Sequence, residues 1–146
     1  MSPDRSMPSD RSIHRAGPDD HAAVARLFDG AMLDTDDDRL GRQLAGETGA
    51  VLVAGNDPPV GAVALDDATE PVDDINTNPV RITAIAVQPR LRDRGLGRRL
   101  VAAAAERAAP RPLTAAFDER VRPFYRACDF AIEPRDGRLW GVRWPA

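Results

Sequence analysis

The residues best suited to chemistry sit in one short stretch. Val80 to Val87 is an apolar run that ends in Gln88-Pro89 and passes into Arg90, Arg92, Asp93, Arg94, Gly95, Leu96, Gly97, Arg98 and Arg99. A strand that enters a helix through a glycine-spaced turn makes an anion cradle. The first turn of a helix carries unpaired N–H groups and a partial positive charge. Glycine lets the backbone come close to a ligand and adopt conformations closed to other residues. The stretch therefore points to a bound phosphorylated cofactor. The competing reading of the arginines alone is a solvated helix face, and it holds best for Arg90 and Arg99.

Other reactive residues are few. Cys128 is the only cysteine, so an internal disulfide is excluded, and one cysteine with His14 and His21 does not make a zinc site. Lysine is absent, which removes Schiff-base chemistry and the Walker A ATPase. The acidic run Asp34 to Asp38 lacks the glycine and glutamate of a calcium loop, because Arg39 and Ala45 stand at those places. No metal is expected. Net charge is -3, which weighs against general nucleic-acid binding despite the arginine cluster. The excess of Asp over Glu fits a GC-rich genome or a salty cytoplasm. No apolar stretch approaches the ~20 residues of a membrane span, and the N-terminus has no signal-peptide core, so the expectation is a cytoplasmic protein without membrane contact.

The elements that must position this stretch follow from periodicity. At 146 residues the chain suits one domain, expected over 11–146 behind a disordered tail at 1–10 that is rich in Ser, Pro and Asp. Ser12 to Arg15 reads as a strand. Gly17-Pro18-Asp19-Asp20 starts a helix whose apolar face carries Val24, Leu27, Phe28 and Ala31. Asp34 to Asp38 caps a second helix through Leu40 and Leu44. Ala50 to Ala54 and Val60 to Leu65 form a hairpin about Asn56-Asp57-Pro58-Pro59. A polar loop over 66–79 precedes the strand Val80 to Val87. Gly97 to Ala108 is an Ala-rich helix with Leu96, Leu100, Ala103 and Ala104 on one face. Leu113 to Phe117 is a strand, Arg120 to Ala127 a short helix, and Arg138 to Trp144 a last strand. One sheet with helices, in the order β-α-α-β-β-β-α-β-α-β, gives an α+β or α/β class.

Two segments carry a family resemblance. Ile85-Ala86-Val87-Gln88-Pro89 followed by Arg92-Asp93-Arg94-Gly95-Leu96-Gly97 resembles the acetyl-CoA motif of the GCN5-related N-acetyltransferase (GNAT) family. Phe124-Tyr125-Arg126-Ala127-Cys128-Asp129-Phe130 is similar to that family's Phe-Tyr-x-x-x-Gly-Phe segment. The match is good over residues 80–130, while 12–65 agrees only in the order of elements. Asp129 departs from the usual Gly, which Asp tolerates because it enters left-handed conformations readily. Asp118 departs from a common Asn and alters a pantetheine contact at most.

The resemblance implies a mixed, mainly antiparallel sheet flanked by helices, with acetyl-CoA as cosubstrate and an amine as acceptor. Backbone N–H groups of Arg92 to Gly97 would hold the pyrophosphate, with Arg92 and Arg98 adding charged contacts. The backbone of Ile85, Ala86 and Val87 would pair with pantetheine at a bulged, splayed strand, and an N–H near Val87 would polarise the thioester carbonyl. Tyr125 falls at the general-acid position, whereas Cys128 reads as a small buried hydrophobe. No general base is evident: Glu70, Asp73, Asp74, His14 and His21 are candidates, and an acidic loop suits a cationic acceptor. Homodimerisation through the Trp140 to Trp144 strand is an expectation by analogy. The rival functions are a non-catalytic acyl-CoA-binding sensor and, less well supported, a nucleic-acid binder.

Overall fold

The computed structural model describes residues 12–55, 58–67 and 78–145. The tail at 1–10, Asn56-Asp57 and the acidic-loop residues Glu70, Asp73 and Asp74 lie outside them. Seven strands form one sheet: β1 Ile13–Arg15, β2 Gly49–Ala54, β3 Gly61–Asp67, β4 Val80–Val87, β5 Leu113–Phe117, β6 Ala131–Arg135 and β7 Arg138–Arg143. Their order across the sheet is β1-β2-β3-β4-β5-β7-β6. All neighbours are antiparallel except β4 and β5, which run parallel.

The helices are α1 His21–Gly30, α2 Asp37–Leu44, α3 Leu96–Ala108 and α4 Arg122–Ala127. A 3-10 turn at Pro18–Asp20 leads into α1, and the Asp20 carboxylate accepts the Gly17 N–H at 2.9 Å. Asp36 caps α2 by accepting from the N–H groups of Asp38 at 2.9 Å and Arg39 at 3.2 Å. Such a cap is worth about 1 kcal/mol.

Each face of the sheet has its own core. On one side α3 buries Leu96, Leu100, Val101, Ala104 and Ala108 against Leu52, Val63, Leu65, Val80 and Ile82. On the other, Val24 and Phe28 of α1 with Leu40 and Leu44 of α2 pack on Val51, Val53, Ala62, Ala64, Ala84 and Ala86. Strand β2 thus sends Leu52 and Ala54 one way and Val51 and Val53 the other, the period-2 alternation of a strand buried on both faces.

The element order corrects the sequence reading in one place. Residues Ala131–Arg135 form a strand, so the chain ends in a hairpin rather than a single strand. The turn is Asp136-Gly137, with φ of 52 and 79. Positive φ at both central residues is the type I′ pattern that matches strand twist. Strand β6 escaped the hydrophobic pattern because it is an edge strand with Glu133, Pro134 and Arg135 exposed.

Candidate active site

Strand β4 carries a bulge. Leu65 pairs with Ile82 and Ala64 with Ala84, so Thr83 is an extra residue. Alternation therefore slips by one. Val80, Ile82, Ile85 and Val87 all lie on the α3 side, while Thr83 and Ala84 both turn toward α1 and α2. A buried polar network holds the bulge. Gln43 Nε2 donates to Thr83 Oγ1 and to Asp66 Oδ1, both at 2.9 Å. Thr83 Oγ1 donates to the Ala64 carbonyl at 3.3 Å, and Arg39 Nε lies 3.4 Å from Asp66 Oδ2.

Beyond the bulge the sheet splits. Strands β4 and β5 pair only at Val80–Leu113, Arg81–Thr114 and Ile82–Ala115. From Thr83 to Val87 the β5-facing edge of β4 has no strand partner among the described residues, whereas β5 continues to Phe117 against β7. A bulge bends and twists its strand, which explains why the two diverge here. Ile85, Ala86 and Val87 lie on that edge.

The anion cradle stands at the open end of the split. A 3-10 turn at Pro89–Leu91 leads to Arg92, and α3 begins at Leu96. Asp93 and Gly95 have φ of 64 and 81, the left-handed region. The Arg92 N–H bonds to Pro89 at 3.3 Å and that of Arg99 to Gly95 at 3.1 Å, and no N–H from Asp93 to Arg98 has a backbone acceptor among the described residues. Arg92 Nε donates to the Val87 carbonyl at 3.2 Å, tying the turn to the end of β4. Arg98 is exposed on α3.

Tyr125 lies across the split, beside the diverging end of β5. Its ring stacks on Phe117 with centroids 4.1 Å apart and meets Phe124 and Phe130 edge-on at 5.2 and 5.1 Å. Burial, with a smaller contribution from Cys128, pushes its phenol up to about 12. The helix ends in a Schellman motif: Asp129 N–H bonds to Arg126 at 3.1 Å, Phe130 N–H bonds to Tyr125 at 3.2 Å, and Asp129 has φ of 69. Cys128 is buried, as expected of a small core residue, and burial pushes its thiol up. Asp118 caps the turn before α4, and hydrogen bonding to Arg120 holds its carboxyl below the usual range.

Of the two candidate histidines, one is displaced from this site and the other faces a carboxylate. His14 is exposed on β1, with β2 and β3 between it and β4. His21 opens α1 and faces Asp37 Oδ1 at 3.2 Å. Residues that sequence reading passed over include Thr83, whose bulge is visible only as a break in the Val80, Ile82, Ile85, Val87 alternation, and Gln43, which shares the apolar stripe of Leu40 and Leu44. Among the described residues no cluster of His, Cys, Asp and Glu could hold a metal, and no helix is long and apolar enough to cross a membrane.

A mixed sheet with one parallel pair thus opens beside the N-terminus of α3. The sequence model of the Acetyltransferase (GNAT) family matches residues 19–130, and the chain belongs to that family. No curated protein sequence matches it. Solved structures share the fold at low identity. NAA60 of Arabidopsis thaliana in complex with acetyl-CoA aligns at TM-score 0.76 with 12% identity, covering 90% of this chain and 96% of the other. A histone acetyltransferase HPA2 and related acetyltransferase of Corynebacterium glutamicum aligns at 0.69 with 15% identity over 94% and 97%. An aminoglycoside acetyltransferase from an uncultured soil metagenomic sample, in complex with sisomicin, aligns at 0.67 with 18% identity over 86% and 91%.

Proposed function

We propose that this chain is an N-acetyltransferase that moves an acetyl group from acetyl-CoA to an amine by direct attack. The observation that carries the reading is the split between β4 and β5. Among the described residues it leaves a strand edge without a strand partner, Thr83 to Val87, leading to the N–H groups of Asp93 to Gly97, which have no backbone acceptor. That edge fits an extended pantetheine, whose amides add a strand, and the turn fits a pyrophosphate. The bound thioester supplies the activated acyl group. Amine-bearing ligands also appear with relatives of the same fold, as sisomicin does with the soil aminoglycoside acetyltransferase.

In this reading Ile85, Ala86 and Val87 orient the pantetheine with backbone groups, and Arg92 fixes the turn to the strand end through Val87. Attack by the amine forms a C–N bond and breaks the C–S bond. The ammonium gives up two protons in all, one to solvent before attack and one from the nitrogen after the C–N bond forms, and the departing thiolate takes up the equivalent of one of them through solvent. In this reading the Tyr125 phenol meets that sulfur. A phenol at about 12 keeps its proton throughout the neutral range. Full transfer would run uphill to a thiol near ~8.5, so the supported role is hydrogen-bond donation to the sulfur as its charge develops.

A non-catalytic acyl-CoA-binding module is the second reading, favoured by the position of His14 on β1, separated from β4 by two strands. Calorimetry with acetyl-CoA and a thiol-release screen against amines test the two together. Binding with turnover supports the enzyme, and binding without turnover supports the module. An absence of acetyl-CoA binding overturns both.

A further inference from the structure

The α1/α2 side of the sheet, where Thr83 and Ala84 emerge, also carries a cation that the acyl-transfer scheme does not use. Arg81 lies two residues before the bulge and pairs with Thr114, and their neighbours Val80 and Leu113 face α3. Arg81 and Thr114 therefore project to the opposite face. On β7, Trp140 projects to that face too, since its neighbour Leu139 belongs to the α3 core.

The Arg81 guanidinium carbon lies 5.5 Å from the Trp140 ring centroid, and that of Arg135 lies 4.6 Å away. Arg135 is neutralised by Glu133, with Nη2 to Oε1 at 3.3 Å. Arg81 has no ion pair among the described residues.

Register fixes where this cation stands. Arg81 is level with Thr114, but Trp140 is level with Ala116, two residues further along β5. Two residues of strand are about 6.6 Å. The Arg81–Trp140 contact therefore spans the level of the last pair, Ile82–Ala115, where the sheet begins to open. The guanidinium is thus held at the closed end of the split. One more polar group on this face has no partner among the described residues: Thr114 Oγ1 is buried and makes no hydrogen bond with them. A guanidinium fixed on an indole loses little freedom when it binds, and its planar fork matches a carboxylate in two parallel hydrogen bonds.

We propose that Arg81, braced by Trp140, recognises a carboxylate on the acceptor, so that the acceptor is an amino-acid-like amine rather than a polycation. The inference rests on the acyl-transfer reading above and specifies its second substrate. Because the cation stands at the apex of the split, the carboxylate and the attacking amine belong to one short molecule or to one end of a longer one.

The test compares matched acceptors in a thiol-release assay with acetyl-CoA: tyrosine against tyramine, phenylalanine against phenethylamine, lysine against cadaverine. The amino acid of at least one pair should exceed its decarboxylated partner in kcat/KM by roughly 10- to 100-fold, the range of a charge-assisted contact. Arg81→Gln should erase that preference through KM for the acceptor and leave KM for acetyl-CoA unchanged. Arg81→Lys should restore part of it. Arg81 is exposed, so melting curves of both variants serve as the folding control. Equal or better use of the decarboxylated amines, or a preference that survives Arg81→Gln, overturns the inference. Binding of acetyl-CoA with turnover of none of the amino acids also overturns it while leaving the cofactor cleft standing. Failure to bind acetyl-CoA sinks the parent reading instead.

Discussion

The Phe124 ring occupies the space that a side chain on Gly97 would need: its Cε1 atom lies 3.0 Å from the position of a Cβ on Gly97, and its Cζ lies 3.3 Å away. The two sequence segments that resemble one family thus touch. The glycine at the start of α3 admits the aromatic pair of α4, and that contact joins the anion cradle to the helix carrying Tyr125.

Gly97→Val should therefore damage both. Overpacking of this kind costs about 1–3 kcal/mol, readable in urea unfolding. Acetyl-CoA affinity by calorimetry should fall with it, because Phe124 must move away from the mouth of the cradle. A stability loss with unchanged affinity would separate the contact from the cofactor site.

Gly95 makes a different demand. Nothing lies within 4 Å of a Cβ placed there, yet its φ is 81. Gly95→Ala should cost about 1–2 kcal/mol from backbone conformation alone, and Gly95→Asn should cost less. A cost that followed side-chain size instead of left-handed tolerance would contradict this account. At Asp129, with φ of 69, the reverse applies: Asp129→Gly should stabilise the fold by up to about 1 kcal/mol.

Tyr125 gives a pH dependence with a definite sign. Its folded pKa is raised from 10.0 to about 12. Between those values the unfolded chain has released the proton that the folded chain retains, so stability falls as pH rises. The full difference is present below pH 10.0 and is lost through about 12, a loss of roughly 2–3 kcal/mol. Urea midpoints across this window should fall less steeply in Tyr125→Phe. The same variant should lower kcat and spare acetyl-CoA affinity, which single-turnover kinetics and calorimetry would separate.

Gln43→Ala should cost about 1–3 kcal/mol by opening a cavity and leaving Asp66 and Thr83 short of a donor. If the network holds the bulge, acyl transfer should slow in Gln43→Ala even though Gln43 lies on α2, outside the cofactor cradle. Hydrogen exchange at Ala84 and Ile85 offers a second readout, and unchanged protection there would show that the bulge stands without the amide.

Legibility in the sequence followed the range of the interaction. The turn could be read because Gly95 answers a local backbone need, and α3 because its stripe repeats at helical spacing; the contact that demands Gly97 comes from Phe124, far along the chain. Tyr125 was placed by resemblance, and its stack on Phe117 depends on where β5 ends, which no local pattern encodes. Strand β6 was passed over because Glu133, Pro134 and Arg135 offer no buried face; the Asp136-Gly137 dipeptide was the available cue. Gln43 hid among leucines, since one polar residue on an apolar stripe reads as a gap. The Arg81–Trp140 contact joins residues 59 positions apart and needs the sheet order before it can be seen.

The extra residue at Thr83 has a consequence for how β4 tolerates change in length. The strand behaves as two segments half a cycle out of step, with Val80 and Ile82 in one and Ile85 and Val87 in the other. Removing a single residue would not merely shorten it. It would bring the segments back into step, and one of them would have to show its apolar side chains to the wrong layer. The cleft is thus protected by parity: a substitution at Thr83 can weaken it, but a one-residue deletion exchanges inside for outside.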